Sequence, residues 1–124
     1  MAVLSYWEPV FEEDINPVVR REILAKIWNF FRDSDYGEYV EFESAEHFRI
    51  VGNVYNRDGY VNGSRIRTSP VQRLSRAQRG ELIASVYDFV FSTENTNYNI
   101  ARCDMCPEVA DECRVLANTR VSER

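Results

Sequence analysis

The sequence predicts a single α+β domain over residues 1–124, in which an antiparallel β-sheet of four to six strands stands between an N-terminal helix and a short C-terminal helix. The chain has 124 residues, a length at which one compact domain is the usual outcome. Apolar residues make up 44% of it, which is enough to build one core. Apolar residues recur with the period of a helix early in the chain and again at its end, and with a period close to two in its middle.

The first helix is predicted over residues 16–32, after an irregular arm of residues 1–15 that we expect to pack through its aromatic side chains. Asn16 followed by Pro17 is a typical helix start, because an asparagine side chain caps the helix and proline suits the first turn. Apolar residues then recur at helical spacing: Val19, Ile23, Ile27, Phe30 and Phe31.

The antiparallel sheet is predicted over residues 38–101, where apolar and polar residues alternate with a period of two. The clearest apolar positions are Val40, Phe42, Phe48, Ile50, Ile66, Tyr98 and Ile100. Gly59 and Gly63 each follow an aspartate or asparagine, a pairing typical of the tight turns between strands. A β-rich stretch over residues 82–91 is expected to form a hairpin with residues 96–100.

A C-terminal helix is predicted over residues 107–119. Pro107 suits its first turn, and Val109, Cys113 and Leu116 recur on one helical face. The predicted order is therefore helix, antiparallel strands, helix.

Charge and hydropathy exclude several classes of function. The formal net charge is −5 at pH 7, so we expect no binding to duplex DNA, which needs a clustered positive surface. No stretch approaches the roughly 18 apolar residues of a membrane span, and no basic region followed by an apolar run opens the chain. We therefore expect a cytoplasmic protein with no membrane partner. Lys26 is the only lysine, and the other basic residues are arginines. Arginine suits phosphate and carboxylate ligands, but codon bias would give the same excess of arginine over lysine.

Three cysteines lie within eleven residues, as a Cys103-x-x-Cys106 pair and a separate Cys113. A tetrahedral zinc site would need His47 as its fourth ligand, and the chain lacks the second paired motif that structural zinc sites normally show. Buried free thiols are the simpler interpretation, and zinc remains the alternative. No cofactor is predicted.

Enzymatic activity is not expected from this sequence. His47 is the only histidine, so any Ser-His-Asp or Cys-His assembly would depend on it. The chain also lacks a glycine-rich phosphate loop, a nucleophile elbow and a zinc-protease motif.

A ligand site is predicted at the last hairpin and the helix after it. If alternate residues of the last strand face the core, the asparagines between them project to the opposite surface of the sheet. The core-facing residues are Tyr98 and Ile100, the asparagines are Asn97 and Asn99, and the aromatic neighbour on the adjacent strand is Tyr87 or Phe89. A ring that stacks on a base, an amide that bonds its edge and an arginine that binds phosphate form a minimal nucleotide site.

The arginine of that predicted site is Arg114, and Asp111 lies three residues earlier on the same helical face. In the nucleotide interpretation Arg114 binds a phosphate, and Asp111 contacts a ribose hydroxyl or orients the arginine. In the simpler interpretation the two residues form an ordinary surface pair of small energetic value. Both interpretations remain open at the level of the sequence.

Three segments resemble a pattern of small phage-encoded cytosolic proteins: HFRIVGNVY at residues 47–55, GYVNGSRIRTSPV at 59–71 and TENTNYNI at 93–100. Within that group the chain most resembles the Thoeris anti-defence family of cyclic-nucleotide sponges. The resemblance implies that the chain inhibits a bacterial anti-phage defence by sequestering a cyclic ADP-ribose-type signalling nucleotide without cleaving it.

The resemblance also implies a set of ligand-binding residues. The family's pocket has an aromatic residue, an asparagine, an aspartate and an arginine in that chain order, which Tyr87, Asn97, Asp111 and Arg114 match here. Family members hold the ligand between subunits, so a homo-oligomer in the host cytosol during infection is implied. The three cysteines are not part of this motif.

The alternative prediction is a protein–protein inhibitor of a host defence complex, similar in strategy to an anti-CRISPR protein. Such an inhibitor presents acidic side chains to a basic groove of its target. The residues that motivate it are Glu38, Glu41, Glu43 and Glu46. A structural or regulatory phage protein with no small ligand is a third interpretation.

Overall fold

Seven strands and two helices form the fold in a computed structural model that describes residues 2–42, 48–77 and 87–122. The strands are β1 (Val3–Phe11), β2 (Tyr39–Glu41), β3 (Phe48–Tyr55), β4 (Ser64–Arg67), β5 (Val71–Arg76), β6 (Phe89–Thr93) and β7 (Asn97–Ile100). The helices are α1 (Pro17–Arg32) and α2 (Pro107–Ser122). Short 3₁₀ turns lie at Ser34–Tyr36 and Arg102–Asp104.

The strands form one mixed sheet in the order β2-β5-β6-β7-β1-β3-β4. Neighbouring strands are antiparallel except for β1 and β7, which are parallel where Val3 meets Asn99. The α+β class is therefore confirmed, whereas the prediction of a purely antiparallel sheet of four to six strands is wrong. Of the β-rich stretch predicted over residues 82–91, residues 89–91 form the start of β6. Residues 82–86 lie outside the described residues.

The prediction of an irregular arm over residues 1–15 is wrong, because most of this segment is the interior strand β1. A β-bulge shifts the register between Ser5 and Glu8, so Leu4 and Trp7 both point into the core although they are three residues apart. Because inward residues of a regular strand are two apart, this spacing of three removes the pattern that predicts a strand. Gly52 suits the close approach of the two strands at the bulge, because a Cβ atom there would lie only 3.1 Å from the Ser5 carbonyl oxygen.

Strand β5 is also not predicted by an alternation of apolar and polar residues, because it too contains a bulge. Val71 and Leu74 are both fully buried, and the register shifts between Val71 and Arg73. A second bulge therefore places two inward residues three apart in an otherwise polar stretch. Both missed strands are bulged strands.

Helix α1 confirms the prediction over residues 16–32. The Asn16 side chain caps it by accepting a hydrogen bond of 2.8 Å from the Val18 backbone N–H, and Pro17 begins it. Helix α2 begins at Pro107 as predicted, but it ends at Ser122 and is as long as α1, so the expectation of a short helix is wrong. Neither described helix is long and apolar enough to cross a membrane.

The two helices pack side by side and antiparallel. Arg102, just before α2, donates to the Phe31 carbonyl at the end of α1, whereas Glu112 accepts two hydrogen bonds of 2.7 and 2.9 Å from Arg20 near the start of α1. The hydrogen-bonded Arg20 guanidinium holds the pKa of the Glu112 carboxyl below its ordinary value. Cys113 follows Glu112 and is fully buried against the core.

Both helices cover the same face of the sheet, which carries the core. The Phe31 ring of α1 lies 4.5 Å from the Phe89 ring of β6, and Trp7 packs edge-on to Phe31 and Phe91. Tyr98 and Ile100 are opposite Phe91 and Phe89 and are fully buried, which confirms their predicted core orientation. We call the other side of the sheet the far face. Its side chains include Tyr39, Glu41, Asn53, Arg65, Arg67, Arg73, Ser92 and Asn97.

Candidate functional site

The structure separates the residues that the sequence predicts to form one site. Asp111 and Arg114 are together on α2, with 2.6 Å between Oδ1 and Nη2, and both side chains are more than half exposed. Asn97 is exposed on the far face, opposite Ser92, whereas α2 packs on the helix side. Tyr87 is half-buried just before β6. Within one chain Asn97 and Arg114 therefore lie on opposite sides of the sheet, and a cavity that contains both needs two copies.

Two further residues of the predicted hairpin have structural roles. Asn99 points to the far face as expected, but it is buried, and its side chain donates to the Ala2 carbonyl at 3.2 Å. Phe89 is buried among the core aromatics. Neither side chain is available to a ligand.

A different cluster on the far face combines an aromatic ring, a carboxamide and guanidinium groups. The Arg65 guanidinium donates to the Tyr6 carbonyl at 3.0 Å and to the Asn53 side-chain oxygen at 3.3 Å. Its central carbon also lies 5.7 Å from the centroid of the Tyr6 ring. We call Tyr6, Asn53, Arg65 and the neighbouring Arg67 the Tyr6 cluster.

The β1 bulge places Tyr6 in this cluster. As the bulged residue, Tyr6 has φ of 47°, a left-handed conformation that is unfavourable for a non-glycine residue, and it is 54% exposed. An exposed tyrosine held in a strained backbone by a well-packed strand is a feature that concentrates at binding sites. Asn53 and Arg65 lie directly opposite each other on β3 and β4, which fixes them beside it.

Among the described residues nothing pairs with the Arg67 guanidinium, so within the cluster Arg67 is the residue that can bind an anion. It lies two residues after Arg65 on β4 and so projects from the same face, and it is exposed. Within the described ranges it has no hydrogen bond or ion pair. Its planar donors suit a phosphate or carboxylate.

Comparison of the chain with family models, with curated proteins and with solved structures finds no match. The functional proposal below therefore depends on the residues of this chain.

A second tyrosine–arginine pair lies on the far face at the opposite edge of the sheet. The Arg73 guanidinium lies 4.6 Å from the centroid of the Tyr39 ring and 3.6 Å from the Glu41 carboxylate. Because Glu41 already balances its charge, Arg73 is less available to an anion than Arg67 is.

An acidic groove of about 560 Å³ lies between the end of β1 and the starts of the helices. Phe11, Ile15 and Val109 give it apolar lining, and Glu12 and Glu13 give it exposed carboxylates, of which Glu12 lies 4.0 Å from the Arg49 guanidinium. Arg20 also lines the groove, but its charge is balanced by the paired Glu112. The groove is thus complementary to a cationic partner with an apolar portion.

The buried cysteines support the fold. Cys106 lies beside Tyr6, with its Sγ atom 3.7 Å from the Tyr6 carbonyl oxygen. Burial, and then the Glu8 carboxylate, raise the pKa of the Cys106 thiol, and burial raises that of Cys113 to about 12. Among the described residues no group of three metal-ligating side chains comes together, and His47 lies outside them.

We expect thiol reagents to modify Cys103 selectively in the folded protein. Cys103 is exposed, whereas Cys106 and Cys113 are buried with raised pKa values, so their nucleophilic thiolate forms are scarce at neutral pH. The release of thionitrobenzoate from Ellman's reagent measures this, with Cys103→Ser as the control. Rapid modification of that variant would contradict the assignment.

The sequence contained only part of the information needed to find the Tyr6 cluster. The alternation of Arg65 and Arg67 around Ile66 indicates that both arginines share a face. Nothing in the period of β1 indicates that Tyr6 points outward, because the bulge breaks that period. Asn53 could have been placed only once β3 and β4 were paired in register.

Proposed function

We propose that the chain binds a cyclic ADP-ribose-type signalling nucleotide and holds it without cleaving it. In this proposal it is a phage-encoded sponge that acts in the cytosol of an infected cell and silences an anti-phage defence. The observation that carries the proposal is the Tyr6 cluster, because it presents on one surface an aromatic ring, a carboxamide and a guanidinium with no partner among the described residues.

Each member of the cluster has a role that its chemistry supports. The exposed Tyr6 ring stacks on the base, and the Asn53 amide bonds a polar edge of the base or a ribose hydroxyl. Arg67 binds phosphate through its donor fork, whereas Arg65 holds Tyr6 and Asn53 in place. Binding by these groups requires neither a metal nor a catalytic histidine.

The set predicted from the sequence, Tyr87, Asn97, Asp111 and Arg114, stays an alternative site for the same ligand. It would require a homo-oligomer in which the far face of one copy meets α2 of another. The Tyr6 cluster is the simpler site, because one chain contains all of it.

Isothermal titration of the purified protein with cyclic ADP-ribose isomers tests the proposed function. We expect saturable binding of at least one isomer, and chromatography after heat release should recover that isomer intact. A flat titration with every isomer would contradict binding, and recovery of linear ADP-ribose would contradict sequestration without cleavage.

The acidic groove favours a second candidate function, the inhibition of a host defence complex through a basic surface. Glu12 and Glu13 present their charge there, although two of the glutamates that first motivated this function, Glu43 and Glu46, lie outside the described residues. Co-purification of a stoichiometric defence subunit that is lost in Glu12→Lys/Glu13→Lys would support this candidate.

A further inference from the structure

In the part of the chain that the structure describes, the two outer strands of the sheet, β2 and β4, each have one free edge. They end the strand order, and within residues 2–42, 48–77 and 87–122 neither has a second neighbour. A free edge exposes unpaired backbone N–H and C=O groups that can pair with another strand. The residues at these two edges determine what kind of strand fits.

On β2 the outward backbone groups belong to Tyr39 and Glu41. The Phe42 N–H donates to the Gln72 carbonyl, so the groups of Phe42 point inward to β5. Because the direction alternates along an antiparallel ladder, the groups of Glu41 and Tyr39 point to the free edge. The Glu41 carbonyl already accepts a hydrogen bond of 2.8 Å from Lys26 Nζ, and its second lone pair is left for an added strand. This edge therefore carries a carboxylate and an aromatic ring.

On β4 the outward backbone groups belong to Arg65 and Arg67. The Thr68 N–H donates to the Ile50 carbonyl of β3, so the same alternation directs the groups of Arg65 and Arg67 away from β3, where no described residue pairs with them. This edge therefore carries two guanidinium groups. Arg65 and Arg67 are two residues apart on β4, as Tyr39 and Glu41 are on β2.

The directions and faces of the two edges also match. Six neighbour pairs join β2 to β4, five antiparallel and one parallel, so the two strands of one chain run in opposite directions. Two copies placed side by side with the same face outward thus bring β2 and β4 together as an antiparallel pair. The side chains of all four outward residues then share the far face.

We propose that the β2 edge of one copy pairs with the β4 edge of a second copy. In the matching register Glu41 is opposite Arg65 and Tyr39 is opposite Arg67, which gives an ion pair and a cation–π contact. A pairing of two β4 edges would instead bring four arginines together. The Glu41 carboxylate is 59% exposed beside Arg73 and has room for a second guanidinium.

The contact joins two different edges, so it is heterologous and builds either a closed ring or an open chain. Its strands have only three and four residues, so we expect weak, concentration-dependent association. The pairing does not depend on the proposed nucleotide. It would, however, place the second copy's Tyr39 beside Arg67 and thus add a second aromatic ring to the Tyr6 cluster.

Charge reversal with reciprocal rescue tests this pairing in the absence of nucleotide. We expect native mass spectrometry and light scattering to show assemblies of the 14.5 kDa wild-type chain, and monomers of Glu41→Arg and of Arg65→Glu. An equimolar mixture of the two variants should assemble again, because each retains the edge that the other lacks. The double variant should also assemble, and Arg21→Glu, an exposed position of α1 away from both sheet edges, is the matched control that keeps wild-type assembly.

Because Arg65 also contacts Tyr6, Arg67→Glu is the second β4 variant, and it too should be monomeric. A monomeric wild type at every concentration up to the millimolar range would overturn the proposal. Assembly that persists in Glu41→Arg and in Arg67→Glu would overturn it as well. Glu41→Arg leaves the Tyr6 cluster intact, so nucleotide titration of this variant separates a failure of the pairing from a failure of the proposed function.

Discussion

Trp7→Ala is expected to destabilise the protein by about 3 to 5 kcal/mol, the range for truncation of a buried aromatic residue. Trp7 is fully buried, and its ring lies 5.2 Å from the Phe91 ring and 5.9 Å from the Phe31 ring. Its indole N–H donates to the Ala101 carbonyl at 3.0 Å. The residue thus joins β1, β6, α1 and the turn before α2, and its loss is large beside the roughly 5 to 15 kcal/mol total of a typical domain.

Urea denaturation followed by circular dichroism measures this effect, with Trp7→Phe as the matched control. Phenylalanine retains an aromatic ring but lacks the indole donor, while the Ala101 carbonyl keeps its hydrogen bond of 3.0 Å from the Asp104 N–H, so we expect a smaller loss of about 1 to 2 kcal/mol. A loss below about 1 kcal/mol in Trp7→Ala would contradict the central position of this residue in the core.

Arg67→Ala is expected to weaken binding of the nucleotide at least tenfold without changing the melting temperature. The phosphate would lose its principal donor, and tenfold corresponds to about 1.4 kcal/mol. The melting temperature should not change, because Arg67 is exposed and has no hydrogen bond or ion pair in the described part of the chain. Tyr6→Ala should weaken binding by a similar factor through the loss of base stacking.

Arg114→Ala is the matched control for this experiment, because it removes another exposed arginine, which lies on the other side of the sheet. We expect its affinity to equal that of the wild type. If Arg114→Ala abolishes binding and Arg67→Ala does not, the ligand lies at the set predicted from the sequence, and the Tyr6 cluster is not the site. Isothermal titration of each variant at the same ionic strength makes the comparison quantitative.

Elements with regular periods could be predicted from the sequence, and elements with bulges could not. Helix α1 has an Asn16 cap and an uninterrupted helical period, and β3 begins with the alternation of Phe48, Arg49 and Ile50, so local patterns indicated both elements. In β1 and β5 a bulge places inward residues three apart, which removes the signal that identifies a strand.

The site was harder to predict than the fold, because its residues come from three strands that are distant in sequence. Asn97 and Arg114 match a chain order, but chain order does not specify a side of the sheet, and the structure places them on opposite sides. Tyr6 joins Asn53 and Arg65 only through the pairing of β1 with β3 and of β3 with β4. Such long-range register is not contained in any local pattern.

The most direct test of the Tyr6 cluster is an amide chemical-shift titration of the isotope-labelled protein with the cyclic ADP-ribose isomer that binds most tightly. The largest shifts are expected at the amides of Tyr6, Asn53, Arg65 and Arg67, with little change along α2. Shifts confined to Asn97 and the α2 residues Asp111 to Arg114, or no shifts at saturating ligand, would contradict a nucleotide site on this part of the far face.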